Sequence, residues 1–259
     1  MTAAHTRAAL AGAEVSILGR LAGASNATLR GDADGVPCVY KPMRGERPLW
    51  DFPEWTLGRR EVAAYELSEA LGWGLVPPTA WRADGPSGPG MCQLWIEEAA
   101  DGRRPVTVVP EGEIPPGYLH VLDAQDHTGR DVSLVHESAD DLARIAVFDI
   151  LANNADRKGG HILVDADDRL WAIDHGVTFA ADPKLRTVLW GWSGDALPES
   201  LLSDLEELAR ALRAGLDDVD RWLDDDEREA LRYRCGDLLR ERSFPVPTGH
   251  WPAIPWPVF

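Results

Sequence analysis

Apolar residues return at helical spacing between Leu57 and Leu71, where Val62, Tyr65, Leu67 and Leu71 are set against Arg59, Arg60, Glu61 and Glu69. The pattern predicts an amphipathic helix closed by Gly72 and Gly74. Before it the pattern is strand-like. Glu14–Leu18 and Asn26–Leu29 predict two short strands around a small-residue loop, 19–25. A turn at Gly31–Gly35 then leads into a strand, Val36–Tyr40, that delivers Lys41. Pro48–Trp55 reads as a surface loop and Val76-Pro77-Pro78 as extended chain. Met91–Glu97 predicts a further strand, followed by a charged turn, Glu98–Arg104, that suits a hinge.

The second part of the chain has a different rhythm. Residues 105–137 carry several prolines and no helical period, and predict one hairpin, Tyr118–Leu122 with Val132–Val135. Ser138-Ala139-Asp140-Asp141 resembles a capping box, and Leu142, Ile145, Phe148 and Ile150 give the helix after it a buried face. That helix delivers the chain to Asn153-Asn154-Ala155-Asp156. Ile162–Val164 and Leu170–Ile173 predict strands joined by a turn at Asp165–Asp168, with Asp174 at the exit. Leu201–Leu212 and Asp225–Arg240 are strongly helical. The final stretch, 244–259, is too rich in proline for a helix or central strand. Two states remain for it, disorder or an extended run against the globule, and its large aromatics and Ile254 favour packing. The predicted architecture is α+β in two lobes: a small β-rich N-lobe, residues 1–97, and a mainly helical C-lobe, residues 98–259.

Charge narrows the partners. The 259 residues carry a net −17 with no basic block, which argues against nucleic acid and anionic membranes, since phosphate binding needs clustered cations. Cys38, Cys92 and Cys235 are dispersed and form no C-x-x-C pair, as expected of a reduced, cytoplasmic protein. The first fifteen residues lack a basic region followed by a long apolar core, so no signal peptide is expected. No apolar run reaches the roughly 20 residues that span a bilayer. The seven histidines show no zinc-binding spacing.

Lysine is scarce: Lys41, Lys158 and Lys184 stand against twenty-three arginines. An ammonium suits phosphate oxygens, and Lys41 closes a strand. Small residues in the 19–25 loop would let backbone N–H groups approach phosphates, although an ordinary hairpin turn explains them equally well. Asp156 and His161 lie five apart, and Asp174-His175-Gly176 follows the second hydrophobic run. Phosphoryl transfer uses this layout: a catalytic-loop Asp, a metal ligand five residues on, then a metal-binding Asp before a Gly. Plainer readings stand beside each residue. Asp156 and Asp174 are then loop carboxylates closing Asx turns, His161 a hydrogen-bonded strand residue, and Lys158 and Glu61 solvated charges.

Four pieces occur in order: V-Y-K-P with Lys41, the R-E-V-A-A-Y helix with Glu61, N-x-D-R with Asp156 and Arg157, and Asp174-His175-Gly176. From about Val15 to Leu239 the set resembles the protein-kinase-like superfold, within it the phosphoinositide 3/4-kinase branch and the related HipA-type kinases. It most resembles a bacterial phosphoinositide 3/4-kinase-like family. The resemblance implies that ATP and Mg²⁺ or Mn²⁺ bind in a cleft between the lobes. Lys41 would bind the α/β-phosphates, held by Glu61, with Glu66 as a rival partner. Ser25 and Asn26 would belong to the phosphate loop, and adenine would lie against the hinge at Leu94, Trp95, Ile96 and Glu97. Asp174 would chelate the metal, and His161 occupies the second ligand position, where the family has Asn. Asp156 would act as general base, Lys158 would contact the γ-phosphate, and Arg157 would brace the loop.

The expected activity is γ-phosphoryl transfer to a protein hydroxyl or a small polar acceptor. His161 supports an alternative, a pseudokinase that binds nucleotide or acts as a scaffold, and transfer of AMP is a further variant. A membrane phosphoinositide is not the expected acceptor, because Val177–Trp192 offers only Lys184 and Arg186 as cations.

Overall fold

The computed structural model describes residues 2–22, 26–249 and 251–259. It divides into two compact units. The first comprises Met1–Glu97, Ile173–Thr178 and Leu216–Asp224; the second comprises Glu98–Ala172, Phe179–Gly215 and Asp225–Phe259. The segment bearing Asp174 therefore belongs to the unit that holds the N-terminal sheet.

In the first unit an antiparallel sheet is built from β1 (Val15–Arg20), β2 (Leu29–Ala33), β3 (Pro37–Pro42), β4 (Thr79–Arg82) and β5 (Gly90–Leu94), in the order β1-β2-β3-β5-β4. Several edges differ from the sequence reading. The Asn26–Leu29 strand and Gly31–Gly35 turn give way to a longer β2 and a two-residue turn, Asp34-Gly35. Both turn residues have positive φ (54° and 80°), the geometry a tight hairpin needs. The last strand ends at Leu94, so Trp95–Glu97 lie beyond it. β4 was not expected, because Pro77 and Pro78 obscure its start. Alternation along β3 turns Cys38 and Tyr40 into a core with Leu10, Val15, Ala33 and Cys92, and puts Lys41 on the opposite face. An unanticipated helix, α1 (Ala3–Gly12), plugs that core with Leu10, while Arg82 caps its end through the carbonyls of Leu10 (2.6 Å) and Ala13 (2.5 Å).

Helix α2 (Leu57–Ala70) forms where the periodicity placed it, but its faces differ from the expectation. Arg60 and Glu61 are buried, at 2% and 1% exposure, rather than on a solvated side. Its N-terminus is capped by Glu46, whose carboxylate accepts from Leu57 N–H (3.1 Å) and Gly58 N–H (2.8 Å).

The second unit contains a three-stranded sheet, β6 (Val106–Pro110), β7 (Tyr118–Gln125) and β8 (Asp131–Glu137), in the order β6-β8-β7. The expected hairpin is thus present, and β6 extends it. Helix α3 (Asp140–Ala152) starts from Ala139 without a side-chain cap, so no capping box forms at Ser138. β9 (Ile162–Val164) and β10 (Leu170–Ala172) make the short hairpin. The leucine stripe becomes α4 (Glu199–Ala214), whose buried Leu201, Leu205, Leu208 and Leu212 pack with α6 (Asp225–Glu241); α5 (Asp217–Asp220) belongs to the first unit. The C-terminal stretch lies extended and hydrogen-bonded to its own unit: Ala253 O accepts from Thr187 N–H (3.0 Å) and Trp190 Nε1 (2.8 Å). Among the described residues no helix is long and apolar enough to cross a membrane.

Candidate active site

Three charged residues distant in sequence converge in the first unit. Lys41 Nζ donates to Glu61 Oε1 and, at 2.9 Å, to Asp174 Oδ1. β3 supplies the lysine, α2 the glutamate, and the chain leaving β10 the aspartate. Glu61 also accepts the backbone N–H of His175 at 3.1 Å, and Arg60 donates to Thr178 O. Helix α2 therefore pins both ends of the turn that follows Asp174. Asp174 itself adopts the left-handed conformation (φ 61°), which Asp tolerates better than most residues and which recurs at functional sites. Glu66 is engaged elsewhere, ion-paired with Arg7 of α1 and lying 3.9 Å from Arg221. The carboxylate beside Lys41 on α2 is Glu61.

Electrostatics follow from this crowding. Burial alone would depress the Lys41 ammonium, but Asp174 and Glu61 outweigh it and hold it above the ordinary lysine value. Burial pushes the Glu61 carboxyl up while Lys41 opposes the shift. Glu61 is sequestered, whereas about half of the Asp174 side chain is exposed (49%).

The second unit contributes the loop from Asn153 to His161. Asn153 ends α3 in the left-handed region (φ 49°) and ties the loop to the later chain through Ala180 O (2.8 Å), Asp182 O (2.7 Å) and Lys184 N–H (2.9 Å). Arg157 is wholly buried and grips Asp149 of α3, with Nε–Oδ2 and Nη2–Oδ1 both 2.9 Å, while its Nη1 donates to His161 O at 3.2 Å. Asn154 donates to Asp149 (3.0 Å) and accepts the N–H of Asp156 (2.9 Å). Asp156, partly exposed, has Lys158 Nζ 3.5 Å from its Oδ2. His161 is half-buried at the head of β9. The ring of Phe259 lies close over Gly159. The Gly159 N–H donates to Val258 O (2.8 Å), and a Cβ on that residue would lie 2.3 Å from Cε1 of Phe259.

The remaining expected residues are distributed as follows. Ser25 lies outside the described residues. Asn26 Oδ1 accepts Arg47 N–H at 2.8 Å, so its carboxamide holds the neighbouring loop. Leu94 and Trp95 spend their N–H groups on Pro78 O (2.8 Å) and Pro37 O (2.9 Å). Trp95 carries Arg30 over its ring (4.3 Å) and donates from Nε1 to the exposed Glu97 (2.8 Å); Ile96 is half-buried. Lys184 is buried and Arg186 donates to Ile254 O (3.3 Å), so neither forms an open basic patch. Among the described residues no three His, Cys, Asp or Glu side chains are grouped to hold a metal alone. Asp149 and Arg60 were not singled out from the sequence, and Asn154 entered only as the first residue of N-x-D-R, without a role. An Asp seven residues before Asp156 on the buried face of a predicted helix was the available signal for the first of them.

Over 265 aligned residues the chain is 46% identical to Protein Rv2133c of Mycobacterium tuberculosis (strain H37Rv), spanning 97% of this chain and 95% of that one. The chain belongs to the Rv2133c family. No established family model matches. Among solved structures, that of hydra Fam20 with sugar aligns with 90% of this chain and 86% of its own, at TM-score 0.57 and 16% identity. A second, the Helicobacter pylori proinflammatory kinase CtkA, covers 91% and 94% at TM-score 0.49 and 12% identity. The first likeness concerns the fold alone, which is α+β, with a sheet-rich N-terminal part and a helical C-terminal part.

Proposed function

We propose that this member of the Rv2133c family is an ATP- and divalent-metal-dependent phosphotransferase acting on a protein hydroxyl or a small polar acceptor. The observation that carries the reading is Lys41 clasped between buried Glu61 and accessible Asp174, with α2 fixing the turn behind Asp174. Phosphoryl transfer needs a fixed cation for the phosphates and a carboxylate for the metal, and this cluster supplies both. Its donor set also fits a divalent cation: the half-exposed carboxylate of Asp174 is an oxygen ligand of the kind Mg²⁺ or Mn²⁺ takes, and one or two protein ligands suffice where phosphates and water complete the shell. The ion would be held by Asp174, and it would neutralise charge on the transferring group.

Lys41 would release Asp174 and bind phosphate oxygens while Glu61 keeps it aimed. Asp156 would orient the acceptor hydroxyl and take its proton, with Lys158 beside it facing the transferred phosphoryl group. Because Leu94 and Trp95 have their N–H groups occupied, adenine would be read by Ile96 and Glu97. The test is a thermal shift with ATP plus Mg²⁺ or Mn²⁺, followed by mass spectrometry of the incubated protein and candidate acceptors. Phosphorylation adds about 80 Da and adenylylation about 329 Da. Asp174→Asn is expected to abolish the metal-dependent shift, and Asp156→Asn to keep the shift and lose transfer. No shift with either metal would sink the proposal.

A further inference from the structure

The second unit contains a cavity of about 640 Å³ between the end of α3, including Ile150 and Asn153, the 181–190 segment, α6 and the C-terminal stretch. That volume suits a small organic molecule. Trp190, Trp251, Tyr233, Leu185 and Val246 give it a largely apolar wall, and Tyr233 (65%) and Val246 (60%) leave large apolar surfaces open at its edge. Two buried donors also line it. Arg234 spends Nε on Leu151 O (2.7 Å) and Nη1 on Ala180 O (3.4 Å), but its Nη2 meets no acceptor among the described residues. Trp251 Nε1 is likewise buried without an acceptor among them.

Unmatched buried donors are costly, and the two hydrogen bonds that the Arg234 guanidinium makes go to carbonyls, which carry no formal charge. Burial holds the Arg234 guanidinium at about 10, with Glu227 opposing, so it remains charged at neutral pH. Asp226, Glu229 and Asp237 also line the cavity, with Asp237 already paired to Arg240 at 2.6 Å. Those acids disfavour a polyanion and leave room for one negative group set among aromatic rings.

We infer that this cavity binds a small monocarboxylate with an apolar or aromatic body, its carboxylate on Arg234 and its body against Trp190, Tyr233 and Trp251. The site is independent of the nucleotide reading, and its test uses no ATP. Calorimetric titration of the full chain with 4-phenylbutyrate and decanoate, and with 4-phenylbutanol as the uncharged control, reads it directly. Saturable one-to-one binding of at least one acid is expected, with the alcohol roughly tenfold weaker or more. Arg234→Met should weaken the acid to the level of the alcohol. Because Arg234 also holds two carbonyls, Val246→Trp provides a second variant: it fills the cavity edge from an exposed position and should remove binding without lowering the melting temperature. Failure of both acids to bind, equal affinity of acid and alcohol, or binding unchanged in both variants would each overturn the assignment.

Discussion

Replacing Asp149 by Asn tests how the Asn153–His161 loop is held. Asp149 and Arg157 have no exposed side-chain surface, and their carboxylate and guanidinium meet through Nε–Oδ1 (3.1 Å), Nε–Oδ2 (2.9 Å) and Nη2–Oδ1 (2.9 Å). Asn keeps the shape but removes the charge and turns one acceptor into a donor facing a guanidinium. Breaking a buried pair from one side costs about 3–5 kcal/mol, because the remaining charge stays desolvated. For a chain of this size each kcal/mol moves the melting temperature by about 2–4 °C, so Asp149→Asn should melt roughly 10 °C or more below wild type. The double variant Asp149→Leu, Arg157→Met removes both charges and should recover most of the loss, giving a large coupling energy. It still lacks the bond from Arg157 Nη1 to His161 O, so phosphoryl transfer should stay impaired in a stable protein. Melting of Asp149→Asn within about 2 °C of wild type, or a double variant no more stable than the single one, would refute the reasoning.

Other outcomes follow from the same geometry. Lys41→Met should weaken ATP binding at least tenfold in the presence of metal, measured by titration, while Glu66→Gln should leave it unchanged because Glu66 pairs with Arg7. If His161 is a metal ligand, wild type should favour Mn²⁺ over Mg²⁺, and His161→Asn should shift that preference towards Mg²⁺; identical preferences would remove it from the metal site. His136 is buried, packs at a tilt against Trp192 with ring centroids 4.3 Å apart, accepts Gly191 N–H on Nε2 (2.9 Å), and is pushed down by burial from 6.5 to about 4. Its contribution is complete above pH 6.5 and is lost as the pH falls towards 4, about 3 kcal/mol in all, so denaturation of His136→Gln should show a shallower acid decline than wild type. Gly159→Ala should cost about 1–3 kcal/mol through the clash with Phe259, and adding Phe259→Ala should restore part of it in the same melting assay.

What could be read from the sequence was mostly local. The spacing of Asp156, His161 and Asp174 and the leucines of α4 concern residues near one another along the chain, and elements appear where those patterns placed them. Helix α2 was legible as a helix but not in its faces. Arg60 and Glu61 looked like solvent positions because they are charged, yet their partners, Thr178 and His175, lie more than a hundred residues away. The same reason hid the cap of α2, which comes from Glu46 across a loop rather than from the adjacent Thr56, whose hydroxyl donates to Pro53 O (2.7 Å). Helix α1 escaped because only Thr6 and Leu10 of its ten residues are buried, too few to make a periodic stripe. Composition left the proline-rich end open between disorder and packing, since its contacts use backbone oxygens that carry no residue signature.

That last property bears on how the protein can change over evolutionary time. The extended C-terminal stretch engages the chain around the Asn153–His161 loop through the carbonyl oxygens of Ala253, Ile254 and Val258, which serve Thr187, Trp190, Arg186 and Gly159. Every amino acid supplies a carbonyl, so these particular bonds place no demand on residue type. An insertion or deletion between 253 and 258 cannot be absorbed so easily, because it would slide Val258 out of reach of Gly159. Divergent relatives should therefore keep the length of this stretch even where its residues differ.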